Sequence, residues 1–104
     1  MKIWTDDLRP APDGYKWCKT TNETIDTLKS CIWGFTPIEV LDLDHDAGDQ
    51  VIHGGDYIRI LQWLEKEQIE FGRDFNFPIH IHSMNPVGVQ NMRAIIQANG
   101  WKEV

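Results

Sequence analysis

The sequence predicts an α/β domain built on a mostly parallel sheet, and three observations carry that prediction. Short apolar runs alternate with segments of helical periodicity along the whole chain. Three of those runs, residues 2–5, 38–43 and 78–82, end in polar, ligand-capable side chains, as buried strands do when they deliver a site to one sheet edge. The chain has 104 residues, enough for one domain with one core and no need of staples. Alternation of this kind implies helices on both faces of the sheet, joined by right-handed crossovers.

The elements follow in order. Residues 2–5 form the first strand, and Pro10, Pro12 and Asp13-Gly14 make residues 6–14 a loop that excludes a regular helix. Residues 15–19 alternate and are rich in β-formers, which predicts a second strand. Thr20-Thr21-Asn22-Glu23 fits a capping box, and Ile25, Leu28 and Ile32 carry a helix to about Cys31, closed by Trp33-Gly34. Pro37 precedes a central strand at 38–43. Residues 46–55 are a polar loop with three glycines, and a second helix starts near Asp56 with Ile58, Leu61, Trp63 and Leu64 as its apolar stripe. Glu65, Lys66 and Glu67 lie on its solvated side, and residues 70–76 are a connection. After a strand at 78–82, Asn85-Pro86 interrupts the chain, and residues 87–99 read as a third helix with Met92, Ile95 and Ile96 inward and Gly100 past its end. Residues 101–104 leave room for a short last strand.

Composition narrows the function classes. A net charge of −6 argues against a broad basic nucleic-acid surface, which needs clustered Lys and Arg. Acid clusters favour a divalent cation with oxygen ligands, Mg²⁺, Mn²⁺ or Ca²⁺ ahead of Zn²⁺. Cys18 and Cys31 have no CxxC spacing and read as buried, reduced thiols. No apolar segment reaches signal-peptide or membrane-span length, so a cytoplasmic protein with no membrane partner is expected. The five tryptophans are dispersed and read as core or lid, not as a base-stacking platform.

The chemistry concentrates at three strand ends. Between residues 40 and 49 an apolar run gives way to Asp42, Asp44, His45, Asp46 and Asp49. Asp6, Asp7 and Asp44 on adjacent strand ends would repel one another unless a cation sits between them, which points to an Mg²⁺ or Mn²⁺ site; solvated loop acids are the plainer alternative. His45 and His82 are suited to divide general-base and general-acid work with Asp44 in a catalytic set, because imidazole titrates near working pH. Strand alternation sends His80 and His82 to one side, and His82 at the strand end is the one that reaches the site; His80 reads as a half-buried, hydrogen-bonded histidine. Ser83, Asn85 and Arg9 are placed to hold phosphoryl oxygens. Asp46 and Asp49 shape the loop, Gly54 and Gly55 start a helix or present N–H groups to an anion, and Asp42 points to a helix end or solvent. Thr5 reads as a plain strand residue, and His53 receives no role.

These residues carry a resemblance. An acidic pair closing the first strand (Asp6, Asp7), an Asp closing the central one (Asp44) and a Ser closing the next (Ser83) look like a response-regulator receiver domain. That implies a flavodoxin-like three-layer sandwich with parallel strand order 2-1-3-4 and a site at the switch between the first and third strands. The first crossover helix and the final helix of receivers are missing, as is their fifth-strand Lys. The strings Asp6-Asp7-Leu8-Arg9-Pro10, Leu43-Asp44-His45-Asp46-Ala47-Gly48 and His82-Ser83-Met84-Asn85-Pro86-Val87-Gly88 more closely resemble the cyclic-phosphate-processing receiver domains. The resemblance covers residues 1–104 as one truncated domain. It implies a divalent-metal-dependent phosphoesterase acting on cyclic phosphate ends of RNA or on related nucleotides, with a phosphate-containing small molecule or an RNA end as ligand and room for a partner protein. The alternative it leaves is a non-catalytic module that senses a phosphorylated ligand or partner. Asp42-Leu43-Asp44 also resembles the DxD motif of haloacid-dehalogenase-like phosphatases, but that family places the motif on its first strand, and here it is central.

Overall fold

The computed structural model describes all 104 residues. Strands β1 (Lys2–Thr5), β2 (Tyr15–Cys18), β3 (Val40–Leu43) and β4 (Ile79–Ile81) form one parallel sheet in the order β2-β1-β3-β4. Helices α1 (Thr21–Trp33), α2 (Ile58–Phe71) and α3 (Pro86–Ala98) follow β2, β3 and β4. The chain begins inside the sheet, steps out to β2 and returns past β1 to β3. The topological switch point therefore lies at the C-terminal ends of β1 and β3.

Local chemistry sets the helix limits. The Thr20 hydroxyl accepts the Glu23 N–H at 2.9 Å, which is the first half of the expected capping box. Asn85 caps α3 by accepting the Gly88 N–H at 3.0 Å, with Pro86 in the first turn where its missing N–H costs nothing. Gly72 closes α2 in the left-handed region, φ 63°. The loop after β3 is less irregular than expected: Gly48–Ile52 form a short 3-10 helix. The last strand is reduced to a single parallel bridge, Ile79 to Glu103.

Register divides the sheet cleanly into two faces. Ile3, Thr5, Leu41, Leu43 and Ile79 point one way and, Thr5 apart, join Leu28, Ile60, Leu61, Leu64, Met92 and Ile96 in one buried core. All three helices contribute to that core, so they share one face. Thr5 is a strand residue whose buried hydroxyl pairs with that of Thr24 on α1 at 3.0 Å. Cys18 and Cys31 are free and buried.

On the other face stand Lys2, Trp4, Tyr15, Trp17, Val40, Asp42 and His80, with no helix over them. The third layer of the sandwich is here the proline loop 6–14 and the aromatic rings beneath it. The Trp4 indole N–H donates to the Arg9 carbonyl and the Trp17 indole N–H to the Asp6 carbonyl. Helices on both faces are thus not found, because a loop that two prolines keep from helix stands where a crossover helix would pack. Nor are the tryptophans evenly dispersed, since the β1–β2 register sets Trp4 beside Trp17. No helix is long and apolar enough to cross a membrane. A cleft of about 450 Å³ opens at the opposite end of the sheet, before β3 and β4, lined by Cys31, Phe35, Pro37, Phe75 and Phe77 among others.

Candidate metal and phosphate site

Asp6, Asp44 and His82 are the residues that immediately follow β1, β3 and, for His82, β4. Parallel register brings the three strand ends together, and their ligand atoms all lie within 4.8 Å of one another. The two carboxylates are 1% and 9% exposed, so the cluster is a buried one that can hold a metal ion.

Each member is held by named partners. Asp6 Oδ1 accepts the N–H groups of Leu8 and Arg9, both at 2.9 Å, which locks the start of the proline loop around the carboxylate. Its other oxygen accepts from His82 Nε2 at 3.0 Å. Burial alone would raise the Asp6 pKa, but the backbone donors and His82 outweigh it and hold the carboxyl below its usual value. Asp44 Oδ1 accepts the His45 N–H at 2.8 Å.

His82 bonds Asp42 Oδ1 through Nδ1 at 2.6 Å as well as Asp6 through Nε2. A ring with a carboxylate at each nitrogen is at its best as imidazolium. Burial works against that charge, yet the bonds to Asp42 and Asp6 prevail and the pKa is raised. Trp4 stacks flat on the ring, centroids 3.9 Å apart and planes 3° from parallel, and its π face favours the same cation.

Asp42 is the residue that strand alternation read alone sends toward a helix end or solvent. The structure corrects this: Asp42 is buried, faces the open side of the sheet opposite His80 and Trp4, and orients His82. Nothing local in the sequence marks this role, because only the β3–β4 register sets Asp42 beside His80 and His82. Tyr57 is a second buried polar group not singled out in the sequence. Its hydroxyl donates to the Lys19 carbonyl at 2.6 Å, and burial, with the charges of Asp7, Asp6 and Asp44, pushes the phenol well above its ordinary range. It stays protonated beneath the acids.

The remaining sequence candidates lie around this cluster. Asp7 is outside the 4.8 Å set. Its carboxylate lies against Gly48, where a Cβ would collide with Asp7 Oδ2, and Gly48 sits at φ 55°. Burial first, and then the like charges of Asp6, Asp44 and Asp49, raise its pKa. His45 bonds Asp46 through Nδ1 at 2.8 Å, and its ring covers Gly88 at the start of α3, so closely that a Cβ there would lie 2.5 Å from His45 Cγ. Ser83 Oγ accepts the Asn85 N–H at 3.1 Å. The Asn85 carbonyl oxygen is occupied in capping α3, leaving its amide group, which reaches toward Asp46 at 3.4 Å. Arg9 is half-exposed at the rim, with Nε 3.7 Å from Asp6 Oδ2 and a terminal nitrogen 3.4 Å from the His82 carbonyl. Gly55 donates its N–H to the Val51 carbonyl, so it presents none to an anion. His80 is half-buried and bonds the Val104 carbonyl at 2.6 Å, while His53 contributes a carbonyl to the Asn22 N–H.

No curated protein and no solved structure matches the chain. A family comparison does: residues 1–98 match the cyclic-phosphate processing receiver domain. Given that span, and a parallel sheet of order 2-1-3-4 with acids at its switch point, the chain belongs to the cyclic-phosphate processing receiver domain family.

Proposed function

We propose that this domain is a divalent-metal-dependent phosphoesterase that opens cyclic phosphates on RNA ends or related nucleotides. The observation that carries the reading is the buried convergence of Asp6, Asp44 and His82 at the switch point. The two carboxylates of the cluster are oxygen donors that suit a hard divalent cation, and a cation beside them would also relieve the burial and like charge that disfavour ionised Asp7. Asp6, Asp44 and Asp7 would hold Mg²⁺ or Mn²⁺, which supplies charge neutralisation and polarisation of the phosphoryl group.

The chain's own residues move the protons. His45, oriented through Nδ1 by Asp46, accepts a proton from the attacking water at Nε2. The water oxygen bonds to phosphorus, one ester P–O bond of the ring breaks, and His82 gives the departing oxygen its Nε2 proton, which Asp6 holds in the free site. The product is a phosphomonoester with a free hydroxyl. Arg9, Ser83 and the Asn85 amide bind the phosphoryl oxygens as charge builds on them.

The test is turnover of 2′,3′-cyclic nucleotides with Mg²⁺ or Mn²⁺, against a chelator control. Asp44→Asn is expected to lose at least about a hundredfold through metal affinity, and His82→Ala about a hundredfold or more through proton transfer. Ligand binding by calorimetry with no product under any metal would replace the reading with a non-catalytic sensing module.

A further inference from the structure

The open face of the sheet is explained neither by the core nor by the acid cluster. Although the chain carries a net −6, the seven strand residues on this face include one carboxylate, Asp42, and His82 already occupies it. What remains is a row of rings attended by cations. Lys2 Nζ lies 5.6 Å from the centre of the Tyr15 ring, and Lys19 Nζ lies 4.5 Å from that of Trp17. Trp4 stands between, stacked on His82, edge-to-face with Tyr15 at 6.1 Å and tied through its N–H to the proline loop at the Arg9 carbonyl, which leaves Tyr15 and Trp17 as the rings a base can meet. Tyr15 and Trp17 are half-buried, and both lysines are exposed.

We propose that this face binds single-stranded RNA and feeds its 3′ end into the acid cluster. Each nucleotide of a single strand offers a base π face and a phosphate, which is the combination that a ring with a neighbouring ammonium meets. A duplex keeps its bases stacked inside and has no use for the rings. The row is continuous with the site, since Trp17 holds the Asp6 carbonyl and Trp4 stacks on His82. The inference rests on the phosphoesterase reading only for the terminal group, because a 2′,3′-cyclic phosphate requires ribose; the binding itself does not depend on turnover.

Fluorescence anisotropy in EDTA tests it, with a 5′-labelled RNA of about eight nucleotides ending in a 2′,3′-cyclic phosphate and a cyclic mononucleotide as competitor. The oligomer is expected to bind at least about tenfold more tightly than the mononucleotide. Lys2→Glu with Lys19→Glu should weaken it by about tenfold and flatten its salt dependence by about one unit of log–log slope. Tyr15→Ala should also weaken it by about tenfold, and Lys66→Glu, the same charge change on the exposed side of α2, should leave it unaltered. Equal affinity for oligomer and mononucleotide, equally tight binding of duplex RNA, or an equal loss with Lys66→Glu would overturn the inference. Loss of RNA binding in the platform variants without any hydrolysis by the parent protein would uphold the platform and remove the phosphoesterase reading. Hydrolysis of mononucleotides with no preference for the oligomer would do the reverse.

Discussion

The two faces of the sheet share four strands and one set of backbone hydrogen bonds, yet different forces hold them. On the helical face Ile3, Leu41, Leu43 and Ile79 are at most 1% exposed and belong to one apolar core cluster. That face is held by removal of surface from water, which is non-directional. On the open face Trp4, Trp17, Asp42, His80 and His82 are each tied to a specific partner. Directional contacts place atoms more narrowly than apolar packing does, so the face with less burial is the one that can position a proton or a metal ligand.

The comparison makes Leu41→Ala the most damaging change. Its side chain is fully buried, and truncation is expected to cost about 3 kcal/mol in urea unfolding. Lys2→Ala, on the neighbouring strand but paired with Val40 and so on the open side, should stay within about 0.5 kcal/mol. Equal costs would mean that the open face is packed as tightly as the other.

Asp42→Ala comes next, at about 2 kcal/mol, because it leaves a buried ring nitrogen without its partner. His82 should then lose its raised pKa, since burial remains while the larger of its supporting bonds is gone. The ¹⁵N shifts of the imidazole report this directly, and an unchanged titration would show that Asp6 alone charges the ring.

Most of the fold was legible in the sequence because periodicity is a local property. The alternation in residues 15–19, the Thr20 cap and the stripe of α2 all appear as expected, with limits shifted by one or two residues. The site was legible to the extent that it depends on strand ends: Asp6, Asp44 and His82 each follow an apolar run. Asp42 was not, because its partner lies 40 residues away and only the β3–β4 register sets it beside the histidines. Asn85 shows a division of labour that sequence alone does not reveal. Its carbonyl oxygen caps α3, and its amide N–H groups are left to donate. The missing crossover helix was legible in Pro10 and Pro12, but helices were still expected on both faces, and the grouping of Trp4 with Trp17 again required register.

A smaller effect is expected at Gly48, which opens the short 3-10 helix after β3 and lies against the Asp7 carboxylate. Alanine there must adopt φ 55°, costing about 1 kcal/mol, and its Cβ must displace the Asp7 carboxylate. Metal-dependent thermal stabilisation should fall with it if Asp7 is a ligand. If stabilisation by Mg²⁺ or Mn²⁺ is intact in Gly48→Ala, the ion is held by Asp6 and Asp44 without Asp7.

The smallest expected effect separates the acids by sign. The Asp6 pKa is lowered from 3.8, so its pairing contributes stability present above that value and lost as pH falls through the folded pKa. The His82 pKa is raised from 6.5, so its contribution is full below 6.5 and is lost as pH rises through the folded value. Together they give a plateau between about pH 4 and 6.5. Asp7 works in the opposite sense: with its pKa raised from 3.8, its ionised form is disfavoured in the folded protein, and acidification relieves that cost. Asp7→Asn should therefore stabilise the metal-free protein slightly at pH 7, by about 0.5 kcal/mol or less, and Asp6→Asn should destabilise it. Chemical denaturation of both variants in EDTA distinguishes the two acids, and a loss of stability in Asp7→Asn would mean that its carboxylate is held by favourable contacts rather than crowded by like charge.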